Sequence, residues 1–123
     1  MSQTVLTVDD SRTMREMLRA ALDTAGFRVI QAEDGVDGLD RLEEEMPDVI
    51  ITDINMPRLD GFGFIESVRG DERYRGVPIL VLTTESEPAK KMRARDAGAT
   101  GWIVKPFDPE RLVDAVRRVS AAG

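Results

Sequence analysis

The chain has no cysteine and no histidine. Without cysteine there is no disulfide framework and no thiolate chemistry. Without histidine it lacks the commonest general base and the commonest metal ligand. Aromatic residues are scarce: one Trp, one Tyr and four Phe. No apolar run could span a membrane or serve as a secretory segment, since the N-terminal run at 5–8 meets Asp9 and Asp10 at once. Basic residues are outnumbered, 17 Lys and Arg against 23 Asp and Glu, leaving a formal charge of -6. That balance argues against general nucleic-acid binding. The chemistry left must use carboxylates, hydroxyls, lysine or arginine, and oxygen ligands favour a hard cation such as Mg²⁺. The expectation is a soluble cytoplasmic protein, one domain over residues 1–123, with neither membrane nor nucleic acid as partner.

What the chain does have is alternation. Short apolar runs at 4–8, 27–32, 48–53, 78–82 and 101–104 read as strands, several of them β-branched. Between them lie amphipathic helices. The first begins at the cap-type residues Asp9, Asp10 and Ser11 and runs to about residue 24. Its apolar stripe is Met14, Met17, Leu18, Ala21, Leu22 and Ala25, with Arg12, Arg15 and Arg19 on the wet side. Gly26 stands where a left-handed C-terminal residue belongs. The second helix covers 36–45, with Val36, Leu39, Leu42 and Met46 facing in and Pro47 closing it. The third covers 62–69, and 70–76 reads as a charged loop. The fourth starts near Glu87 and Pro88 and ends at Gly98. Asp108 caps the fifth, with Pro109 at its first position. Five strands alternating with five helices predict an α/β fold with a parallel sheet covered on both faces. Right-handed crossovers leave few strand orders.

The most informative stretch runs from Asp48 to Asp60. It starts as a buried strand and ends in an acid, Asp53. One such aspartate is no more than a cap or a turn residue. Four of the strands, however, end in polar groups: Asp9 and Asp10, Asp53, Thr83, and Lys105. The carboxyl edge of a parallel sheet is where such folds bind ligands. Carboxylates brought close together raise one another's pKa, and a divalent cation relieves the repulsion. Mg²⁺ prefers six oxygens, so two or three carboxylates and a carbonyl suffice, for example that of Asn55. Lys105 can pair with a phosphoryl oxygen, and Thr83 can donate its hydroxyl to another. Asp53 is then an available nucleophile, giving an aspartyl phosphate. Phosphoryl transfer needs mostly positioning and charge neutralisation.

These residues, together with Asn55-Met56-Pro57, Asp60-Gly61 and Lys105-Pro106, resemble the receiver domain of two-component response regulators over the whole chain. The segment Val8-Asp9-Asp10-Ser11-Arg12-Thr13-Met14-Arg15 is similar to the stand-alone chemotaxis subgroup, the CheY type. The resemblance implies a flavodoxin-like fold, a five-stranded sheet of order 2-1-3-4-5 with five helices on two faces. It implies that Asp53 accepts phosphate from a CheA-like sensor histidine kinase. Asp10, Asp53 and the Asn55 carbonyl would bind Mg²⁺ directly, and Asp9 through water. Thr83 and Lys105 would contact the phosphoryl group, and the Lys105–Pro106 bond would be cis. The implied protein is a monomeric switch rather than an enzyme, catalysing only its own phosphorylation and dephosphorylation. Its output is partner binding on the face of the fourth helix, fifth strand and fifth helix, with a flagellar motor switch protein as the implied target. Family members often carry Tyr or Phe three residues before the lysine, where this chain has Trp102. Asn55 and Glu85 occupy positions that tune loss of the phosphoryl group in the family.

Two other readings remain at this point. One is a phosphate sink or phosphorelay shuttle. The other, of a different class, is a Mg²⁺-dependent phosphohydrolase of the haloacid-dehalogenase-like kind, also with an aspartyl-phosphate intermediate. That class places a second Asp two residues after the nucleophile, where this chain has Asn55, and adds a cap domain for the substrate. The fourth helix offers only Ala89, Met92, Ala94 and Ala97 as apolar positions, beside Lys90, Lys91, Arg93 and Arg95. It is thinly anchored and presents a basic face, suited to an acidic peptide. Gly61-Phe62-Gly63 lacks the third glycine of a dinucleotide loop, and Gly98-Ala99-Thr100-Gly101 reads as a helix-to-strand turn rather than a nucleic-acid loop.

Overall fold

The computed structural model describes residues 3–122. Strands and helices alternate along the chain as β1 Thr4–Val8, α1 Arg12–Thr24, β2 Arg28–Ala32, α2 Gly35–Glu44, β3 Val49–Thr52, α3 Gly61–Arg69, β4 Ile79–Thr83, α4 Pro88–Ala97, β5 Gly101–Val104 and α5 Pro109–Ala122. All strand pairs are parallel, in the order β2-β1-β3-β4-β5. β1, β3 and β4 are buried at every position, as inner strands of a doubly covered sheet must be.

Successive strand residues point to opposite faces, which builds two cores. Leu6, Val8, Ile50, Ile79 and Val81 meet Leu42 of α2, Phe64, Ile65 and Val68 of α3, and Ala94 of α4. Val5, Val49, Ile51, Leu80 and Leu82 meet Leu18 and Leu22 of α1 and Leu112, Val113 and Val116 of α5. Side-chain caps start α1, α2 and α3: Ser11 accepts from the Met14 N–H, Asp34 from Asp37 and Asp60 from Gly63. The Asp108 carboxylate accepts from the Glu110 N–H at 3.2 Å, as expected of a cap on α5. Gly98 closes α4 at a φ of 118°, a conformation that favours glycine.

Four expectations are corrected. Met17 is 47 % exposed, because the stripe of α1 that packs is narrower, made by Leu18 and Leu22 with Met14 and Ala25. Met46 is 50 % exposed. α2 ends at Glu44 and Glu45 is extended, so Met46 no longer lies on the helical face. Arg15 is not on the wet side but folds back, its Nη1 donating to the Asp9 carbonyl at 2.7 Å. The charged loop at 70–76 contains a 3₁₀ turn, Glu72–Tyr74, and a buried Tyr74 whose hydroxyl donates to the Leu42 carbonyl at 3.0 Å.

Asp34, at the start of α2, is 3 % exposed and accepts from Arg58 Nε at 2.7 Å and Nη2 at 2.9 Å. Those hydrogen bonds hold its carboxyl below the ordinary value of 3.8, against the opposing effect of burial. The resulting stability is complete above the ordinary value and is lost as pH falls from there through the lowered one. Thermal melts between about pH 5 and 2 should therefore show an acid loss in the wild type that Asp34→Asn lacks. Parallel acid limbs in the two proteins would contradict this.

Candidate functional site

The strand order sets β1, β3, β4 and β5 side by side, and the ladder runs one residue beyond three of them. The Asp53 N–H donates to the Val8 carbonyl at 2.9 Å, the Asp9 N–H to Ala32 at 3.1 Å and the Lys105 N–H to Thr83 at 2.8 Å. The sheet thereby fixes the main chain at Asp9, Asp53 and Lys105 before any side-chain contact is considered.

The side chains then converge. Lys105 Nζ lies 2.8 Å from Asp53 Oδ2 and 2.9 Å from Asp9 Oδ2. The other oxygens are also occupied: Asp9 Oδ1 accepts from the Ser11 N–H at 2.9 Å, and Asp53 Oδ1 from the Ile54 N–H at 2.6 Å. Asp9 is 2 % exposed and Asp53 8 %, whereas Asp10 faces solvent. Burial raises the pKa of Asp9, outweighing Lys105 and the Ser11 N–H, which pull it down. Burial works against the charge on Lys105 too, but its hydrogen bonds to Asp53 and Asp9 more than reverse that and hold it above its ordinary value. The ammonium therefore stays charged and serves as the counterion of both acids.

Asp9, Asp10 and Asp53 each offer a carboxylate oxygen within 4.8 Å of the others. Lys105 pairs with two of the three carboxylates, Asp9 and Asp53, so the cluster carries more acids than its one ammonium can match. An all-oxygen donor set with surplus negative charge fits Mg²⁺, and these three residues would hold it. The structure thus gathers Asp9, Asp10, Asp53 and Lys105.

Thr83, the last residue of β4, is wholly buried, with its Oγ1 accepting from the Glu85 N–H at 3.3 Å. Asn55 is exposed, and its Nδ2 donates to Glu85 Oε1 at 3.0 Å. Glu85, singled out in the sequence only as a position that tunes loss of the phosphoryl group in the family, is also a junction whose contacts the sequence did not announce. Its carboxylate also pairs with Lys90 at 2.9 Å, and its carbonyl accepts from Trp102 Nε1 at 3.2 Å. The residues it joins are far apart in the chain, so no local spacing announces them. The Lys105–Pro106 bond is cis, as the resemblance implied. The basic face of α4 is smaller than its composition suggests. Lys90 is paired with Glu85 and Arg93 lies 4.0 Å above the Phe62 ring, leaving Lys91 and Arg95 exposed beside Met92 and Trp102.

The doubly wound sheet gathers buried acids after β1 and β3 and a lysine after the edge strand β5 at its carboxyl end, an arrangement found in a class of signalling domain. The chain belongs to that class: residues 5–117 match the family described as the response regulator receiver domain. Such domains are signalling switches that accept phosphate from histidine kinases. Chemotaxis protein CheY1 of Helicobacter pylori is 38 % identical over 117 residues, 94 % of either chain. Other relatives, at 40 % identity, are longer proteins of which this chain spans 44 % and 50 %. Chemotaxis protein CheY4 of Vibrio cholerae superposes with a TM-score of 0.92 at 45 % identity, covering 97 % of this chain and 99 % of that one. The receiver domain of sensor histidine kinase PA1611 from Pseudomonas aeruginosa, which holds a magnesium ion in its active-site cleft, superposes at 0.91 with 28 % identity, covering 98 % and 99 %. Among the described residues no helix is long and apolar enough to cross a membrane.

Proposed function

We propose that this chain is a phosphorylation-controlled binding switch of the chemotaxis type, with Asp53 as the phosphoryl acceptor. The observation that carries the reading is Lys105 bridging Asp53 and Asp9, with Asp10 within ligand reach. Asp9, Asp10 and Asp53, with the Asn55 carbonyl, would hold Mg²⁺, which neutralises charge on the transferring group when bound. An Asp53 oxygen attacks the phosphorus of a kinase phosphohistidine. The new O–P bond forms as the P–N bond breaks, and the imidazole nitrogen leaves with the electron pair. Before that, Asp53 Oδ2 must give up its bond to Lys105, whose ammonium then faces a phosphoryl oxygen. Thr83 donates its hydroxyl to another, and any movement of Thr83 towards that oxygen shifts the Oγ1 that accepts from the Glu85 N–H.

That last step gives the signal a route outward. Thr83, Lys90 and Trp102 all meet at Glu85, so a change at Thr83 alters the restraints on the start of α4 and on the indole. Trp102 is the chain's one tryptophan. Its fluorescence is expected to change on adding Mg²⁺ and a phosphoryl mimic, and an unchanged spectrum would remove it from the route. The output surface is α4, β5 and α5, with an acidic segment of a motor switch protein as the target. Reversing Lys91 and Arg95 to Glu should weaken partner binding about tenfold or more while leaving phosphorylation intact. Loss of both functions, or of neither, would count against that surface.

The test of the whole reading is intact-mass analysis after incubation with acetyl phosphate. One phosphoryl group per chain is expected with Mg²⁺ and none with EDTA. Rapid turnover of a phosphate ester would instead support a hydrolase. A pull-down with the phosphorylated chain then distinguishes a motor partner from a phosphate sink or relay, which would retain none.

A further inference from the structure

The loop between β3 and α3 is held from two sides. On the sheet side, the Gly61 N–H donates to the Ile54 carbonyl at 2.8 Å, and a Cβ on Gly61 would collide with the Asp53 carbonyl. On the far side, the Gly35 N–H at the start of α2 donates to the Leu59 carbonyl at 3.2 Å. A Cβ on Gly35 would lie 2.5 Å from that same oxygen. Between these two restraints sits Arg58.

Arg58 has a φ of 64°, and among the described residues it is the one non-glycine residue with a positive φ. That left-handed conformation is unfavourable for a side chain of this kind, so the surroundings must hold it. The restraint is a two-pronged pair: Nε and Nη2 each donate to a different oxygen of Asp34. Asp34 is itself buried and fixed, since its Oδ1 also accepts from the Asp37 N–H at 2.9 Å. Pairs between two exposed side chains contribute little. Here the acid is immobilised and the fork geometry is directional, so the pair dictates where the loop lies.

Asn55 lies in this loop, three residues before Arg58. We infer that the Arg58–Asp34 pair is a positioning latch for the Mg²⁺ site, fixing the loop that offers the Asn55 carbonyl. The inference rests on the Mg²⁺ reading above. The donors of that site are supported differently. Asp9 and Asp10 follow β1 directly and Asp53 follows β3, so the sheet holds them. The Asn55 carbonyl depends on the loop, which is tied to α2 by the Arg58 pair and the Gly35–Leu59 bond and to the segment after β4 by the Asn55–Glu85 bond. Arg58 touches none of the reacting atoms. Its effect belongs to affinity for the ion rather than to the transfer step.

The test is calorimetric titration of Mg²⁺ into the EDTA-treated full chain. The proteins are wild type, Arg58→Ala, Arg58→Gly, Arg58→Lys, Asp34→Asn and the Arg58→Ala/Asp34→Asn double variant. Arg58→Gly suits the positive φ and so removes the pair without adding backbone strain. Both Arg58→Ala and Arg58→Gly are expected to bind Mg²⁺ about tenfold more weakly, the scale for groups that orient a metal ligand. Arg58→Lys should recover part of the loss, as a point charge without the fork. The double variant should be no weaker than the worse single one, since both remove the same link. In acetyl phosphate labelling, the Mg²⁺ concentration for half-maximal rate should rise by the same factor, with the saturated rate unchanged. Circular dichroism confirms that folded proteins are compared. Equal Mg²⁺ affinity in wild type and Arg58→Gly overturns the latch, and so does an additive loss in the double variant. Failure of the underlying reading looks different: the wild type itself takes up no Mg²⁺ and Asp10→Asn changes nothing, which removes the latch with it.

Discussion

The Asp53→Asn protein is expected to take up no phosphoryl group from acetyl phosphate, under conditions where the wild type takes up one. The amide has no carboxylate oxygen to form the acyl phosphate, so the loss is complete rather than graded. The fold should survive. The amide oxygen can still accept from the Ile54 N–H, the bond that Asp53 Oδ1 makes at 2.6 Å. Lys105 keeps Asp9 as its partner at 2.9 Å, so no buried charge is left alone. Removing one of three clustered carboxylates also relieves repulsion, and a melting temperature at or above the wild-type value is expected in EDTA. Intact mass and a thermal melt decide the matter together. Label on Asp9 or Asp10 in this variant would move the acceptor to β1 and end the assignment of Asp53.

Lys105→Met produces the largest expected change in stability. The lysine side chain is 11 % exposed and is the ion-pair partner of two acids, Asp9 and Asp53. Methionine fills similar space but leaves both carboxylates buried without a counterion. Breaking a buried pair from one side costs about 3–5 kcal/mol. For a domain of this size that lowers the melting temperature by ~10–20 °C. The deficit should depend on pH in a definite direction. Burial already raises Asp9 above its ordinary value, and removing Lys105 raises it further. An acid whose pKa is raised by folding loses stability as pH rises through that raised value. The gap between variant and wild type should therefore be widest near neutral pH and shrink on acidification towards the ordinary aspartate range. Mg²⁺ should restore part of the loss at neutral pH by replacing the missing positive charge. A variant that melts within a degree of wild type in EDTA at pH 7 would show that Lys105 is not the counterion.

Much of this site was legible before any coordinates, for a definite reason. Asp9, Asp53, Thr83 and Lys105 each stand at the boundary where an apolar strand turns polar, and that boundary is written locally in the chain. A parallel sheet converts four such boundaries into one edge, so recognising the alternation of strands and helices is enough to collect them. Glu85 was named only through the resemblance, as a position that tunes loss of the phosphoryl group, and its role as a junction was not legible. Its importance comes from Asn55, Lys90 and Trp102 meeting it, and such contacts are set by how loops fold over the edge. The Arg58–Asp34 pair was hidden for the same reason, because its two loops follow strands 2 and 3, which lie apart in the sheet. Met17 and Met46 failed in another way. Periodicity shows which residues share a helical stripe but not how much of it the neighbours cover, nor where the helix stops. Tyr74 shows the limit of composition, since charged neighbours gave its segment the look of an exposed loop while its ring went inside.

Arg69 gives the last helix before β5 a definite mechanical character. Its Nε donates to the Gly98 carbonyl at 2.9 Å, and its Nη1 to those of Tyr74 and Arg75 at 3.0 and 3.2 Å. One guanidinium thus rivets the rear end of α4 to the end of α3 and the 3₁₀ turn. At the front end, Glu87 provides no side-chain cap, and Lys90 holds on through Glu85 alone. Ala94 is the only buried residue in between. Such a helix is a lever with a fixed fulcrum behind and a releasable catch in front. A displacement too small to disturb the sheet, delivered at the catch, is magnified along the arm, and Lys91 and Met92 sweep further than Arg95.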